Sequence, residues 1–308
     1  MKNSRGLSQH LFIELLNGKY SDLLSFIKKD DTLDLQIRED YFNVYYRGGN
    51  ILKVENKVLY PYSIDKNYFE SSIYETINQI LKCDIIDWFT YFGLCKQAMD
   101  LYFTKNKKEE REFQQLIVRE NNYSSIANST DYFIVDIEYD NRNNARFDLI
   151  AIEWESTSQA RKLHKKYTPK FVVIEMKYGD GALVGNAGMN KHYDDFKTFI
   201  QNEKQKESFI NEMSLIFNQK RKLGLIPSLS ENENNNIILN YCNDIDLMFL
   251  IANHDPDSTK LYSELKSMPG KAQYIVSNYM GYALYKDSVQ KHSEFFHKLL
   301  LKHENKNS

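Results

Sequence analysis

Two short runs of this sequence hold residues that could do chemistry together. Arg146-Phe147-Asp148-Leu149-Ile150-Ala151-Ile152-Glu153 is apolar, with a carboxylate near its start. Lys170-Phe171-Val172-Val173-Ile174-Glu175-Met176-Lys177-Tyr178-Gly179 is apolar and ends in a carboxylate and an ammonium separated by one residue. Side chains alternate along a strand, so Glu175 and Lys177 share a face and Met176 takes the other. Opposite charges at the end of a buried strand are costly unless they have partners. Asp148 and Glu175 could hold a divalent metal between them, with Lys177 placed to bind a water or a phosphate oxygen. That donor set suits hydrolysis of a phosphodiester. The simpler alternative is a structural Glu175–Lys177 ion pair in an ordinary α/β protein. Geometry separates the two: carboxylates converging on one point favour the catalytic reading.

The elements around these runs must position them. Thr130 to Tyr139 reads as a first strand, Asn141 to Asn144 as a turn and Arg146 to Glu155 as a second strand, making a hairpin. Glu153 lies an odd number of residues beyond Asp148, so alternation turns it to the opposite face; Asp136 has no assigned role. After Lys177, the glycines 179, 181, 185 and 188 make a permissive loop at the mouth of the site. It lacks the Lys-Ser/Thr of a P-loop, which excludes nucleotide binding of that kind. Asn190 can cap a helix carrying His192, with Tyr193, Phe196 and Ile200 on its packed face. Asp246 to Asn253 has the length and composition of a buried parallel strand. A helix from Asp257 or Ser258 to about Met268, a strand within 272–285 and a helix over 288–302 follow.

Upstream, residues 8–29 carry a helical apolar stripe broken at Gly18. Alternating runs at 33–38, 41–47, 51–54 and 58–60 predict an antiparallel sheet of three or four strands. Residues 68–104 return to helical spacing. Tyr45-Tyr46-Arg47-Gly48-Gly49-Asn50 reads as a tight turn, or as a loop on which bases stack.

Asp148 followed by Glu175-Met176-Lys177, each on an apolar strand with a connection between, resembles the PD-(D/E)XK nuclease superfamily, over roughly residues 105 to 255. The Glu-Met-Lys-Tyr-Gly ending and the His192 helix are similar to uncharacterised bacterial members. The resemblance implies an α/β fold (α+β overall), with a restriction-endonuclease-like αβββαβ core and C-terminal helices in residues 105–308. A module of helix, antiparallel sheet and helices would occupy residues 1–104. It implies a Mg²⁺ or Mn²⁺ ion held by Asp148, Glu175 and the Met176 carbonyl, with Lys177 positioning the nucleophile. It also implies an opening helix, 105–122, whose glutamate reaches the metal or its waters. Glu109, Glu110, Glu112 and Glu120 compete for that role. Glu110-Arg111-Glu112-Phe113-Gln114 resembles the Glu-x-x-Leu-Gln opening of related families, which favours Glu110 and then Glu112. DNA is the expected substrate over RNA, in restriction, repair or anti-phage defence, and many such nucleases work as homodimers. The competing class is a non-catalytic nucleic-acid- or protein-binding module, since a fold does not dictate chemistry.

A net charge of −2 argues against non-specific coating of nucleic acid. One stretch departs from this balance: Arg161, Lys162, His164, Lys165, Lys166 and Lys170 occur with no acid among them. It is either a solvated segment or a phosphate-contacting edge, in which Lys165 and Lys166 would touch substrate. His192 would do so too, unless it is a structural histidine. Cys83, Cys95 and Cys242 are too widely spaced for a disulfide framework or a metal knuckle, so a reducing cytoplasm is expected. No apolar run approaches the length of a membrane span, and Met1 to Arg5 lead into no signal-peptide core.

Overall fold

Gly18 separates two helices. In α1 (Gln9–Leu16) the Ser8 hydroxyl accepts from the Leu11 N–H, and α2 (Ser21–Lys29) ends on two lysines that suit the negative end of its dipole. The computed structural model describes residues 5–140, 146–162, 169–185, 188–227, 229, 237, 244–277 and 281–306. The chain divides into two units, Met1–Ser124 with Leu215–Asn236, and Ser125–Ser214 with Ile237–Ser308.

In the first unit the alternating runs form an antiparallel sheet in sequence order: β1 (Leu33–Ile37), β2 (Tyr41–Tyr46), β3 (Gly49–Glu55) and β4 (Tyr62–Ser63). Arg47 and Gly48 both have positive φ (+47° and +72°), so β2 and β3 are joined by a two-residue turn of the kind that matches strand twist. The Arg47 guanidinium is used internally, by Glu112 at 2.8 Å and Asp100 at 2.8 Å. β4 starts later than Val58-Leu59-Tyr60 suggests. Tyr60 adopts φ +52°, Pro61 has no N–H for a ladder, and the Glu55 N–H closes an exposed loop by donating to the Pro61 carbonyl.

Helices α3 (Ser71–Ile80), α4 (Trp88–Lys105) and α5 (Glu109–Asn122) follow. α5 is fastened to the first sheet. The Gly48 N–H donates to Gln115 Oε1 at 2.8 Å, and Gln115 Nε2 donates to the Thr32 and Tyr45 carbonyls. A Cβ at Gly48 would lie 2.5 Å from the Arg111 carbonyl carbon, so only glycine lets this helix sit on the turn. α5 thus packs with the first unit, whose N-terminal segment runs to Ser124. A buried polar row crosses the first unit. Tyr123 Oη donates to Asp34, Gln36 Nε2 donates to Asp34 and Lys220 Nζ donates to Gln36, all at 2.7–2.9 Å. Gln219 also bonds both backbone groups of Leu7.

The second unit carries β5 (Tyr132–Asp140), β6 (Arg146–Glu153), α6 (Ser158–Lys162), β7 (Lys170–Tyr178), α7 (Met189–Gln201) and α8 (Glu203–Lys222), whose last residues belong to the first unit. Then come β8 (Ile245–Ala252), α9 (Thr259–Ser267), β9 (Gln273–Ser277), β10 (Gln290–Lys291) and α10 (His292–Lys306). The six strands form one mixed sheet in the order β10-β9-β8-β7-β6-β5. β5, β6 and β7 pair antiparallel, while β7, β8 and β9 run parallel. β7 and β8 are nearly continuous apolar runs because central strands are covered on both faces. A bulge in β5 between Ile134 and Asp136 lets the buried Asp136 carboxylate accept the N–H of Ile137. Ser258 caps α9 as expected. Asn190 does not cap α7. It lies inside the first turn, where its amide side chain and N–H bind Glu264 on α9. The turn expected at Asn141–Asn144 lies outside the described residues.

Phe209 of α8 sits buried in an aromatic cluster, with ring centroids 5.2 Å from Tyr139, 5.7 Å from Phe171 and 5.4 Å from Phe199. Replacing it with alanine leaves a cavity that rigid strands cannot close. Phe209→Ala is expected to cost about 3–5 kcal/mol, read as a lowered urea midpoint of the transition that reports the second unit.

Candidate active site

Every reading of the site starts where the β6–β7 ladder stops. The last paired residues are Leu149 and Ile174, and the same register one step on would set Asp148 opposite Glu175. The backbone pairing is replaced there by a side chain: the Met176 N–H donates to Asp148 Oδ2 at 2.8 Å. In an extended strand the N–H and C=O of one residue point to the same edge. The Met176 carbonyl therefore faces β6 beyond the last rung, on the side of Asp148.

Glu175 and Lys177 are both buried, with Lys177 Nζ 3.8 Å from Glu175 Oε2. From α7, His192 places Nδ1 3.0 Å from the same oxygen. Burial, and after it the neighbouring Glu175 carboxylate, push the Asp148 carboxyl up to about 7; Lys177, the Met176 N–H and His192 pull it the other way. His192 is held below the ordinary imidazole value, by burial first and then by the Lys177 ammonium, against the pull of Asp148 and Asp195. At neutral pH it is an uncharged imidazole beside a carboxylate.

Asp148, Glu175, the Met176 backbone, Lys177 and His192 thus come together at one edge of the mixed sheet. Glu110 lies on α5, which belongs to the first unit. Of its rivals, Glu112 holds Arg47, Glu109 is 3.6 Å from Lys107, and Glu120 is 3.9 Å from its neighbour Arg119. Within the second unit the helix that reaches the carboxylates is α7. Lys165 and Lys166 lie outside the described residues. Two described members of that basic stretch are structural. Arg161 lies 4.1 Å over the Phe133 ring and donates to the carbonyls of Thr130 and Glu155, and Lys170 binds Asp246 at 2.6 Å. Glu153 faces Lys170 and Lys286, as its parity away from Asp148 required.

A second group of polar residues, which no motif in the sequence marks, lies at this edge. β8 runs parallel to β7, so its carboxyl end lies beside that of β7. There Gly179 donates to the Ala252 carbonyl at 2.8 Å, and the Asp255 N–H donates to Asp180 Oδ1 at 2.9 Å. His254 is partly buried in the same connection, its imidazole lowered by burial against the opposing pull of Asp180 and Asp255. The available signal was that polar residues follow directly on two adjacent buried strands, which is where ligands enter open parallel sheets.

Among the described residues no group of three or more His, Cys, Asp and Glu side chains gathers as a metal cage. The donors on hand are two carboxylates and a strand-edge carbonyl. That set fits Mg²⁺, which binds through one or two carboxylates and keeps several waters. Comparison with protein-family models, with curated proteins and with solved structures finds no match in any of the three.

A carboxyl raised above its unfolded value binds its proton more tightly in the folded protein. Stability tied to Asp148 is therefore complete below the ordinary carboxylate range and falls as pH rises toward about 7. In chelator, the wild type is expected to lose unfolding free energy between about pH 4 and pH 7, the interval between the two values, and Asp148→Asn to lose markedly less. Urea titrations at both pH values measure the difference.

Proposed function

We propose that this protein is a metal-dependent nuclease that hydrolyses phosphodiester bonds, with DNA as the first substrate to test and a PD-(D/E)XK-like core formed by β5 to β8 and the helices between. The observation that carries this reading is the paired carboxylates at the end of the β6–β7 ladder, where Asp148 takes the Met176 N–H and Lys177 lies beside Glu175. A buried Glu175 and a half-buried Asp148 that raise each other's cost of ionisation make a place for a hard cation. Asp148, Glu175 and the Met176 carbonyl would hold it. When bound, Mg²⁺ or Mn²⁺ would supply charge neutralisation at the scissile phosphate and acidify a water.

The chain's own residues supply the rest. Lys177, fixed by its burial, donates to the attacking water or to a phosphate oxygen and stabilises charge that builds on phosphorus. His192 holds Glu175 in place from α7, and as a neutral imidazole it adds no positive charge that would compete with a cation. Asp148 is oriented by a backbone N–H, which spares it rotamer freedom. Restriction, repair and anti-phage defence are the settings in which such an activity would serve.

The test is cleavage of plasmid and linear duplex with Mg²⁺ or Mn²⁺. Asp148→Ala and Lys177→Ala should each lower the rate by about 10²–10³-fold, and Asp148→Ala should also weaken Mn²⁺ binding measured by calorimetry. Mn²⁺ binding without cutting of DNA would move the substrate to RNA. Neither binding nor cutting would replace this proposal with a non-catalytic binding module.

A further inference from the structure

Helix α4 turns an uncharged face to solvent. The charges in its middle are used within the first unit: Lys96 binds Asp30 and Thr32, and Asp100 binds Arg47 and Tyr46. From Phe89 to Leu101 the outward residues are Phe89, Thr90, Gly93, Leu94, Gln97 and Leu101. At 100° per residue these fall within an arc of about 140°. Phe89 is 78% and Leu101 66% exposed. At the start of the helix the surface continues. Ile85 is 91% exposed, and Val58, 92% exposed, opens the Val58-Leu59-Tyr60 loop. That loop leads into Tyr62, whose ring is 5.8 Å from Trp88, the residue before Phe89.

Val58, Leu59, Tyr60, Ile85, Phe89, Leu94 and Leu101 together leave on the order of several hundred Å² of side-chain area exposed. The largest apolar patch on a typical monomer is about 300–600 Å², whereas one partner in a standard interface contributes about 800 Å². Gly93 adds a second mark. Glycine in mid-helix costs about 1 kcal/mol relative to alanine, and a Cβ there would meet nothing within 4 Å among the described residues. Nothing inside the unit asks for glycine at this point; a helix approaching from outside does.

We propose that this face docks a second copy of the chain, α4 against α4 across a two-fold axis. In a two-fold contact a patch meets itself, so a patch of one charge sign would meet the same sign across the axis. An uncharged apolar face meets itself without that repulsion. It offers nothing complementary to the phosphates of a nucleic acid or to anionic lipid headgroups. The exposed charges nearby, Lys57, Lys82, Asp84, Lys105 and the N-capping Asp87, flank this face at its two ends, where an interface keeps its polar rim. The notch over Gly93 receives a leucine or phenylalanine of the opposite helix.

Sedimentation equilibrium of the full chain tests this. The wild type should run at twice 36.4 kDa at concentrations of about 1–100 µM. Phe89→Glu with Leu101→Glu should weaken association by at least about 100-fold, while far-UV circular dichroism and the urea midpoint of the monomer stay unchanged, because both residues are mostly exposed. Gly93→Leu, which favours the helix, should also weaken the dimer by filling the notch. A wild type that stays monomeric at about 100 µM, or a dimer that survives the double substitution, overturns the proposal. A monomeric wild type that pellets with phosphatidylserine vesicles overturns it in favour of a membrane surface.

Discussion

The second unit depends on a handover from backbone to side chain at the end of one ladder. Up to Leu149 and Ile174 the strands β6 and β7 satisfy each other's peptide groups. One step later the Asp148 carboxylate takes the Met176 N–H. Burial on both faces of β7 makes this position expensive for charge, and the sheet holds the charges there regardless. Lys177 offsets part of the negative potential of Asp148 and Glu175, and the raised Asp148 carboxyl reflects burial and the Glu175 charge that remain. Because all of these groups except His192 stand on paired strands, their separation is set by a rigid scaffold rather than by a loop.

The two units treat buried polarity differently. In the first, Tyr123, Asp34, Gln36 and Lys220 form a row in which each hydrogen bond hands on to the next. Such a network specifies how strands and helices pack. In the second, two carboxylates are neighbours at a sheet edge. The first arrangement is complete as it stands, and the second has its meaning in what approaches it.

What could be read in advance follows from the range of each interaction. Alternation and run length are local, so β1 to β3, β5 to β8 and the Asp148/Glu175/Lys177 set were legible, as was the break at Gly18. A helical period tells which face of α5 is buried but not against what; Gln115 and Gly48, 67 residues apart, decide that. Asn190 could be recognised as a capping residue type, but its partner Glu264 lies 74 residues on. A run of basic residues is only composition until partners are known, and Lys170 finds Asp246 on the neighbouring strand. The contact of His192 with Glu175 spans a glycine-rich loop that no periodicity bridges. β4 failed for a local reason, the proline at position 61, which the alternation at 58–60 had outweighed.

The first unit is discontinuous in sequence, and that has a consequence during synthesis. Its segment 215–236 emerges only after the chain of the second unit between positions 124 and 215 has been made. At a ribosomal speed of about 5–20 residues per second, the N-terminal sheet waits roughly 5–20 s for its missing helix. Through that interval Gln36 has no ammonium from Lys220, and Leu7 has no amide from Gln219. The earliest-made part of the protein therefore stays unfinished until most of the chain has been made, and a nascent chain must keep β1 from pairing elsewhere until α8 arrives.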